Sequence, residues 1–165
     1  MSYTCTIKTP LGPMTAAADE HALTGLWFVG QKHYPQNTGG WIKEPARPLF
    51  QKLQTWIDNY FAGKKQKPDF KLTPAGTVFQ KQVWDELLNI PYGKTITYGD
   101  IAKTIANRNG KTTSSARAAG SAVGRNPISI IIPCHRVIGS TNKLTGYAGG
   151  LDRKEALLKR EGVIF

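Results

Sequence analysis

The chain has 165 residues, 40% hydrophobic and 20% charged, which suits one packed domain or two small ones and excludes wholesale disorder. Its N-terminal stretch holds no apolar run long enough for an export signal or a membrane span, so a cytoplasmic protein with no membrane partner is expected. Two cysteines without an export signal argue against a disulfide framework. The formal charge of +11 points to a polyanionic partner or to a merely basic surface, and charge alone leaves both open. Residues 1–75 carry nine basic and five acidic side chains and residues 76–165 thirteen and six, so the second part is the more basic.

In chain order, residues 3–8 alternate as a strand, Pro10-Leu11-Gly12-Pro13 turns, and residues 14–18 return as a second strand. Residues 23–29 form a third apolar run, which together predicts a small antiparallel sheet. Residues 31–40 read as a loop. A helix follows, with Pro48 in its first turn, apolar residues at helical spacing from Leu49 to Phe61, and Gly63 as its stop. Its aromatic stripe reads as core. Residues 64–73 form a connector, which places a boundary near residue 75 and predicts domains over 1–75 and 76–165.

The second part opens on a capping box, Thr77 with Gln80, ahead of a helix whose apolar face is Phe79, Val83, Trp84, Leu87 and Leu88. Ile90-Pro91-Tyr92-Gly93 is a turn. A further helix starts near Thr97, with Asp100 three residues on, and runs to about Ala106. After a polar loop over 107–113, a short helix covers 115–123. Two short helices joined by a turn suggest a helix-turn-helix. The last of them is built from Ala116, Ala118, Ala119, Gly120, Ser121 and Ala122, with Arg117 its one long side chain. Such a helix either packs tightly on a neighbour or lays a shallow face on DNA. Residues 128–132 read as a buried strand ended by Pro133, residues 139–146 as a hairpin turn, and Asp152 with Glu155 as the capping box of a last helix ending near Gly162.

Cys134 follows Pro133 and precedes His135 and Arg136. A cysteine beside a proton acceptor and a cation is a candidate nucleophile, because the thiolate is the attacking species. His135 would take the proton directly or through one water, and Glu161 is one of few carboxylates able to orient it. Neighbouring side chains of a strand face opposite ways, so a buried structural cysteine stays an equal alternative at this point. Cys5 reads as a buried apolar residue. Its spacing from His21 and His33 fits no metal-ligand pattern.

The run Ile131-Ile132-Pro133-Cys134-His135-Arg136-Val137-Ile138 resembles the active-site signature of the methylated-DNA–protein-cysteine methyltransferases, the O6-alkylguanine-DNA alkyltransferases. Gly146-Tyr147-Ala148-Gly149-Gly150-Leu151 with Lys154-Glu155 and Leu157-Leu158, Asn126-Pro127, Phe79 to Trp84, and Ile90 to Gly93 extend the resemblance over about residues 76–163. It implies an α+β chain: an N-terminal sheet with helices, then a winged-helix-like DNA-binding domain. It implies direct reversal of DNA damage, with the alkyl group of O6-alkylguanine moved irreversibly to Cys134, one event per chain, and leaves open O4-alkylthymine as a second substrate.

By the same resemblance, His135 helps deprotonate Cys134, Glu161 polarises His135, and Asn126 braces the turn around the site. Arg117 is the finger that fills the gap left by a flipped nucleotide. Tyr98 aids flipping and hydrogen-bonds the guanine ring. Ala118, Ala119, Gly120 and Arg136 join the DNA-binding set. The base pocket takes in Cys134, Val137, Tyr147, Ala148, Gly149 and Lys154. Within it the Cys134 and Val137 carbonyls would receive the exocyclic amine, and the Ala148 N–H would face O6. The expected partner is double-stranded DNA, docked through its minor groove by a monomer, with no cofactor. Some relatives bind zinc, but this chain lacks a suitable second cysteine, so no metal is expected. The loop over 107–115 is longer than in many relatives, and Ala148 stands where some carry serine. A non-catalytic winged-helix protein that marks lesions or regulates genes, and a turnover cysteine hydrolase, are the alternatives. Lesion-marking relatives lack the acceptor cysteine, a fused regulator would need an extra metal-binding domain that 165 residues do not hold, and a hydrolase leaves the small-residue helix unexplained.

Overall fold

The computed structural model describes residues 1–113 and 115–164. It divides into two compact units, one of Met1–Ala75 with Pro127–Ser129, the other of Gly76–Asn126 with the chain from Ile130 onward. Ser114, in the loop before the small-residue helix, lies outside the described residues.

Unit 1 follows from two periodicities. Strands β1 (Tyr3–Ile7), β2 (Met14–Ala18) and β3 (Leu23–Phe28) pair antiparallel in the order β3-β2-β1. The register sets Cys5 opposite Ala16 and Met14 opposite Phe28. Alternation then puts Cys5, Ile7, Met14, Ala16, Leu26 and Phe28 in the core. The two-residue strand β4 (Ile42–Lys43), which the alternation does not signal, adds parallel to β1. Helix α1 (Pro48–Phe61) begins with its proline where no amide donor is needed, and it closes before Gly63, whose φ of 87° suits a residue without a Cβ. Phe50, Leu53, Ile57 and Tyr60, three or four apart, are its buried stripe. Pro127–Ser129 joins this unit through Leu26, whose amide donates to the Pro127 carbonyl (2.8 Å) and whose carbonyl accepts from Ser129 (2.9 Å).

Unit 2 is built on helices α2 (Val78–Leu87), α3 (Tyr98–Arg108), α4 (Ala116–Gly124) and α5 (Leu151–Arg160). Thr77 with Gln80 and Thr97 with Asp100 form reciprocal capping boxes, as their spacing predicts. The Ser115 hydroxyl caps α4 by accepting from Ala118 N–H. A parallel pair of two-residue strands, β5 (Ile96–Thr97) and β6 (Val137–Ile138), joins the start of α3 to the segment after Cys134. Trp84, 2% exposed, donates from its indole N–H to the Ala122 carbonyl at 2.9 Å and so ties α2 to α4.

The structure departs from the sequence reading at four places. Residues 128–132 are turns, not a strand, apart from one bridge of Ile128 to Leu26. Ile130 has φ of 70° and interrupts any extended run. A short apolar stretch is buried equally well by turns as by a strand, so periodicity does not separate them. Residues 139–146 close a turn through Gly139 N–H to the Lys143 carbonyl, and β6 pairs with β5 instead of folding back as a hairpin. Helix α5 begins at Leu151 after Gly150, so Asp152 lies in its first turn without capping it, and Glu155 pairs with Lys159 at 3.0 Å. On α2, Val83, Trp84 and Leu87 are buried but Phe79 and Leu88 are exposed, a narrower face than the sequence suggests.

Trp84→Phe should lower stability by roughly 1–3 kcal/mol, because it removes the indole bond between α2 and α4, leaves the Ala122 carbonyl only the Arg125 amide as donor, and opens a gap in the core. Urea unfolding monitored by circular dichroism measures the loss, and an unchanged midpoint would show that the bond contributes nothing.

Candidate active site

All the sequence-predicted site residues lie in unit 2. Cys134 opens a single 3₁₀ turn, Cys134–Arg136, in place of ending a strand. In such a turn successive side chains point about 120° apart. Cys134, His135 and Arg136 therefore take three directions, with the first two buried and Arg136 half-buried.

The approach to Cys134 is tightly held. Asn126 donates from Nδ2 to the Ile132 carbonyl at 2.8 Å, and the Cys134 amide donates to the same carbonyl at 2.8 Å. Between them sits Ile130, 1% exposed and in the left-handed region. A β-branched residue there costs on the order of 1–3 kcal/mol, so the surrounding bonds must outweigh it. Burial pushes the Cys134 thiol up. A side-chain hydrogen bond with Asn126, the nearby Lys154 charge and the backbone amides of Cys134 and His135 pull the other way.

His135 is fully buried, with Nε2 at 2.6 Å from Glu161 Oε2. Its Nδ1 has no hydrogen-bond partner among the described residues. Glu161, at the end of α5, also accepts from Arg136 Nε (2.7 Å) and Nη2 (3.2 Å) and from the Gly93 amide (3.1 Å). Gly93 has φ of 79°, and a Cβ there would stand 3.0 Å from the Glu161 carbonyl, so the turn needs glycine on both counts. Burial alone would raise the Glu161 carboxyl, but its bonds and charges with His135 and Arg136 prevail and hold it down to about 2. The His135 imidazole is held below its ordinary range by burial, against the attraction of Glu161.

Lys154 is the second buried charge. Its Nζ donates to the carbonyls of Val137 (2.6 Å), Thr145 (3.0 Å) and Gly146 (3.1 Å), fastening the loop ahead of α5 to the segment after Cys134. Desolvation lowers it to about 8, with Cys134 acting the other way. Tyr98, at the start of α3, donates to the same Thr145 carbonyl at 2.9 Å. Burial raises its phenol. Tyr147 and Ala148 are half-buried and Gly149 buried in the turn before α5, where the Gly149 carbonyl accepts from Arg153 at 3.1 Å.

On α4 the small residues divide between a packed and an exposed side. Ala119, Ala122 and Val123 are packed, and a Cβ at Gly120 would meet the Tyr98 ring at ordinary contact distance. Ala116, Arg117, Ala118 and Ser121 are exposed. Arg136, expected with the DNA-binding set, bonds Glu161 and donates from Nη1 to the Ile90 carbonyl at 2.7 Å. The sequence reading passed over the roles of Gly93 and of the Ile90 and Thr145 carbonyls, since backbone groups leave no side-chain signal. Only the Ile90-Pro91-Tyr92-Gly93 turn hinted at a fixed loop. Two open depressions of about 730 and 610 Å³ lie in unit 1, the first beside Trp56 and Lys67, the second beside Cys5 and Tyr34. Neither is lined by an expected site residue. Cys5 is buried, and desolvation raises its thiol to about 11, the state of an inert cysteine.

The Glu161 shift has a measurable consequence. Its carboxyl stands at about 2 when folded, against an ordinary 4.5, so its bonds contribute stability that is present above pH 4.5 and lost as pH falls toward 2. The loss should be about 3 kcal/mol over that window. Urea midpoints against pH should show a steeper acid decline for the wild type than for Glu161→Gln, and equal declines would contradict the assignment.

Comparison with known proteins adds an independent observation. Residues 78–163 match the family described as 6-O-methylguanine DNA methyltransferase, DNA binding domain, and residues 2–74 match its ribonuclease-like domain. The chain is 46% identical over 160 residues to a methylated-DNA–protein-cysteine methyltransferase of Methanosarcina acetivorans, covering 97% of this chain and 98% of that one. It is 46% identical over 156 residues to the enzyme of that name from Mycobacterium bovis, covering 94% and 90%. The crystal structure of Mycobacterium tuberculosis OGT in complex with DNA superposes with a TM-score of 0.85 at 43% identity, over 96% of this chain and 92% of that one.

Proposed function

The chain belongs to the 6-O-methylguanine DNA methyltransferase family, and we infer from that membership that it repairs DNA by direct reversal, moving the alkyl group of O6-alkylguanine onto its own cysteine. It is a methylated-DNA–protein-cysteine methyltransferase, with DNA as its partner. Among the described residues no helix is long and apolar enough to cross a membrane. We propose a place of action in the cytoplasm, on the nucleoid.

The observation that carries the assignment of Cys134 as acceptor is its neighbour. His135 is buried and neutral, donates from Nε2 to Glu161, and keeps its Nδ1 lone pair unused among the described residues. That is the tautomer of a general base. His135 takes the thiol proton through one water, and the thiolate attacks the alkyl carbon. The C–O6 bond breaks as the S–C bond forms, and the electron pair leaves on guanine. Tyr98 donates to the guanine ring, turning from the Thr145 carbonyl, which Lys154 continues to satisfy. The Val137 carbonyl accepts from Lys154 and keeps a second lone pair for the exocyclic amine. The product is a thioether, so each chain acts once. No residue here reverses it, and no cofactor is needed for the step.

The alkylated base must leave the stack to reach Cys134, at a cost of a few kcal/mol. The exposed small residues Ala116 and Ala118 suit close approach to the minor groove, where sequence readout is poor, and Arg117 beside them fills the gap. Poor readout fits a protein that must find lesions in any sequence.

Incubation with an O6-methylguanine duplex should add one methyl to the Cys134 peptide, saturating at one per chain by intact mass spectrometry. Absence of the adduct, or repeated turnover, would refute the acceptor role. Arg117→Ala should slow repair of duplex DNA by roughly tenfold or more while leaving reaction with free O6-benzylguanine near wild type. Equal losses on both substrates would remove Arg117 from base flipping.

A further inference from the structure

Glu161 carries a full negative charge in a place where neither it nor His135 has side-chain exposure. Such a charge needs a counter-ion. Among the described residues two candidates bond it. His135 could supply the charge only by becoming an imidazolium, and it would then have no lone pair for the Cys134 proton. Arg136 supplies it at no such loss, because a guanidinium stays protonated throughout the working range. The geometry favours Arg136. Its Nε and Nη2 grip the two carboxylate oxygens at 2.7 and 3.2 Å, while Nη1 is anchored on the Ile90 carbonyl at 2.7 Å. The guanidinium thus spans the carboxylate and the turn after α2, and its side chain is 12% exposed.

We propose that Arg136 is a positioning residue for alkyl transfer: its guanidinium is the counter-ion of the buried Glu161 carboxylate, which leaves His135 a neutral imidazole able to accept the Cys134 proton. The inference rests on the reading of Cys134 as acceptor and His135 as base.

The charges around His135 are consistent with it. Glu161 and Lys154 reach it from α5 and its C-terminal end, and Arg136 and Cys134 from its own turn. Burial, Arg136 and Lys154 all disfavour the imidazolium, and only Glu161 favours it. Tyr92 and Arg160 stand near the Glu161–Arg136 pair. Helix α2, also packed on this turn, buries only apolar residues, its Lys81 and Asp85 are exposed, and its Glu86 bonds Arg108. Removing the guanidinium leaves Glu161 with His135 as its main partner. Protonation of His135 then becomes more favourable, so the base works only at higher pH.

The test is the single-turnover rate of methyl transfer by the full chain from about pH 5 to about pH 9, on an O6-methylguanine duplex and on free O6-benzylguanine. For Arg136→Met the acidic limb should move up by about one pH unit on both substrates, a roughly tenfold loss on that limb that recovers at alkaline pH. Arg136→Lys, which keeps the charge but gives up the two-point grip, should shift less in the same direction. The His135 imidazole resonances should follow the kinetic limb. A uniform loss at every pH with unchanged imidazole titration would make Arg136 merely structural and overturn the proposal. A loss confined to the duplex, steeper at high salt, would make it a DNA contact and overturn it too. If Arg136→Met does not fold, Arg136→Lys decides alone, since an unmoved limb refutes the idea. Failure of the wild type to methylate Cys134 would instead refute the underlying reading, which separates the two.

Discussion

One buried carboxylate organises the reacting end of unit 2. Among the described residues Glu161 accepts N–H bonds from His135, from two nitrogens of Arg136 and from the Gly93 amide. Those donors come from the 3₁₀ turn at Cys134 and from the turn after α2, while the carboxylate itself ends α5. Three chain segments far apart in sequence meet on two oxygen atoms. A half-satisfied network would be worse than an apolar core, because each unpaired group pays its full desolvation cost. The bonds on the carboxylate fix the His135 ring in one direction, with Nε2 on Glu161 and Nδ1 left without a partner among the described residues.

Lys154 performs a parallel task with the opposite sign. A buried ammonium has three protons, and here three carbonyls take them. The loop before α5 is held by a point charge in place of regular secondary structure. Tyr98 adds a bond to the same Thr145 carbonyl, so the start of α3, the loop and the segment after Cys134 share one anchor. With Ile130 kept in a costly conformation ahead of Cys134, the site holds its order in side-chain bonds more than in helices or strands. Helix α4 complements this: one face packs through Ala119, Ala122 and Val123, and the other offers exposed small residues and Arg117.

Much of this chain was legible from periodicity and local chemistry. The alternation of β1 and β2, the stripe of α1 and the capping boxes at Thr77 and Thr97 all depend on neighbours within a few residues, and all appear in the structure. Resemblance around Pro133-Cys134-His135-Arg136 identified the family. Expectations failed where distant contacts decide. The apolar run at 128–132 is extended by pattern, yet it turns because Asn126 and the Cys134 amide both seek the Ile132 carbonyl. The stretch at 139–146 is not a hairpin because β6 finds β5, some forty residues earlier. Asp152 does not cap α5, since the helix starts one residue before it.

The sequence by itself determined the family, the capped helices and the strands of the N-terminal sheet, because spacing, capping pairs and a local motif carry that information. Only the tertiary structure decided which groups bond Glu161 and which carbonyls Lys154 holds. Charge balance in a buried site is a property of everything within bonding distance, and no local stretch of sequence contains it. Arg136 shows the difference: beside Cys134 in the sequence it reads as one more basic residue, and in three dimensions its guanidinium bonds a carboxylate twenty-five residues away.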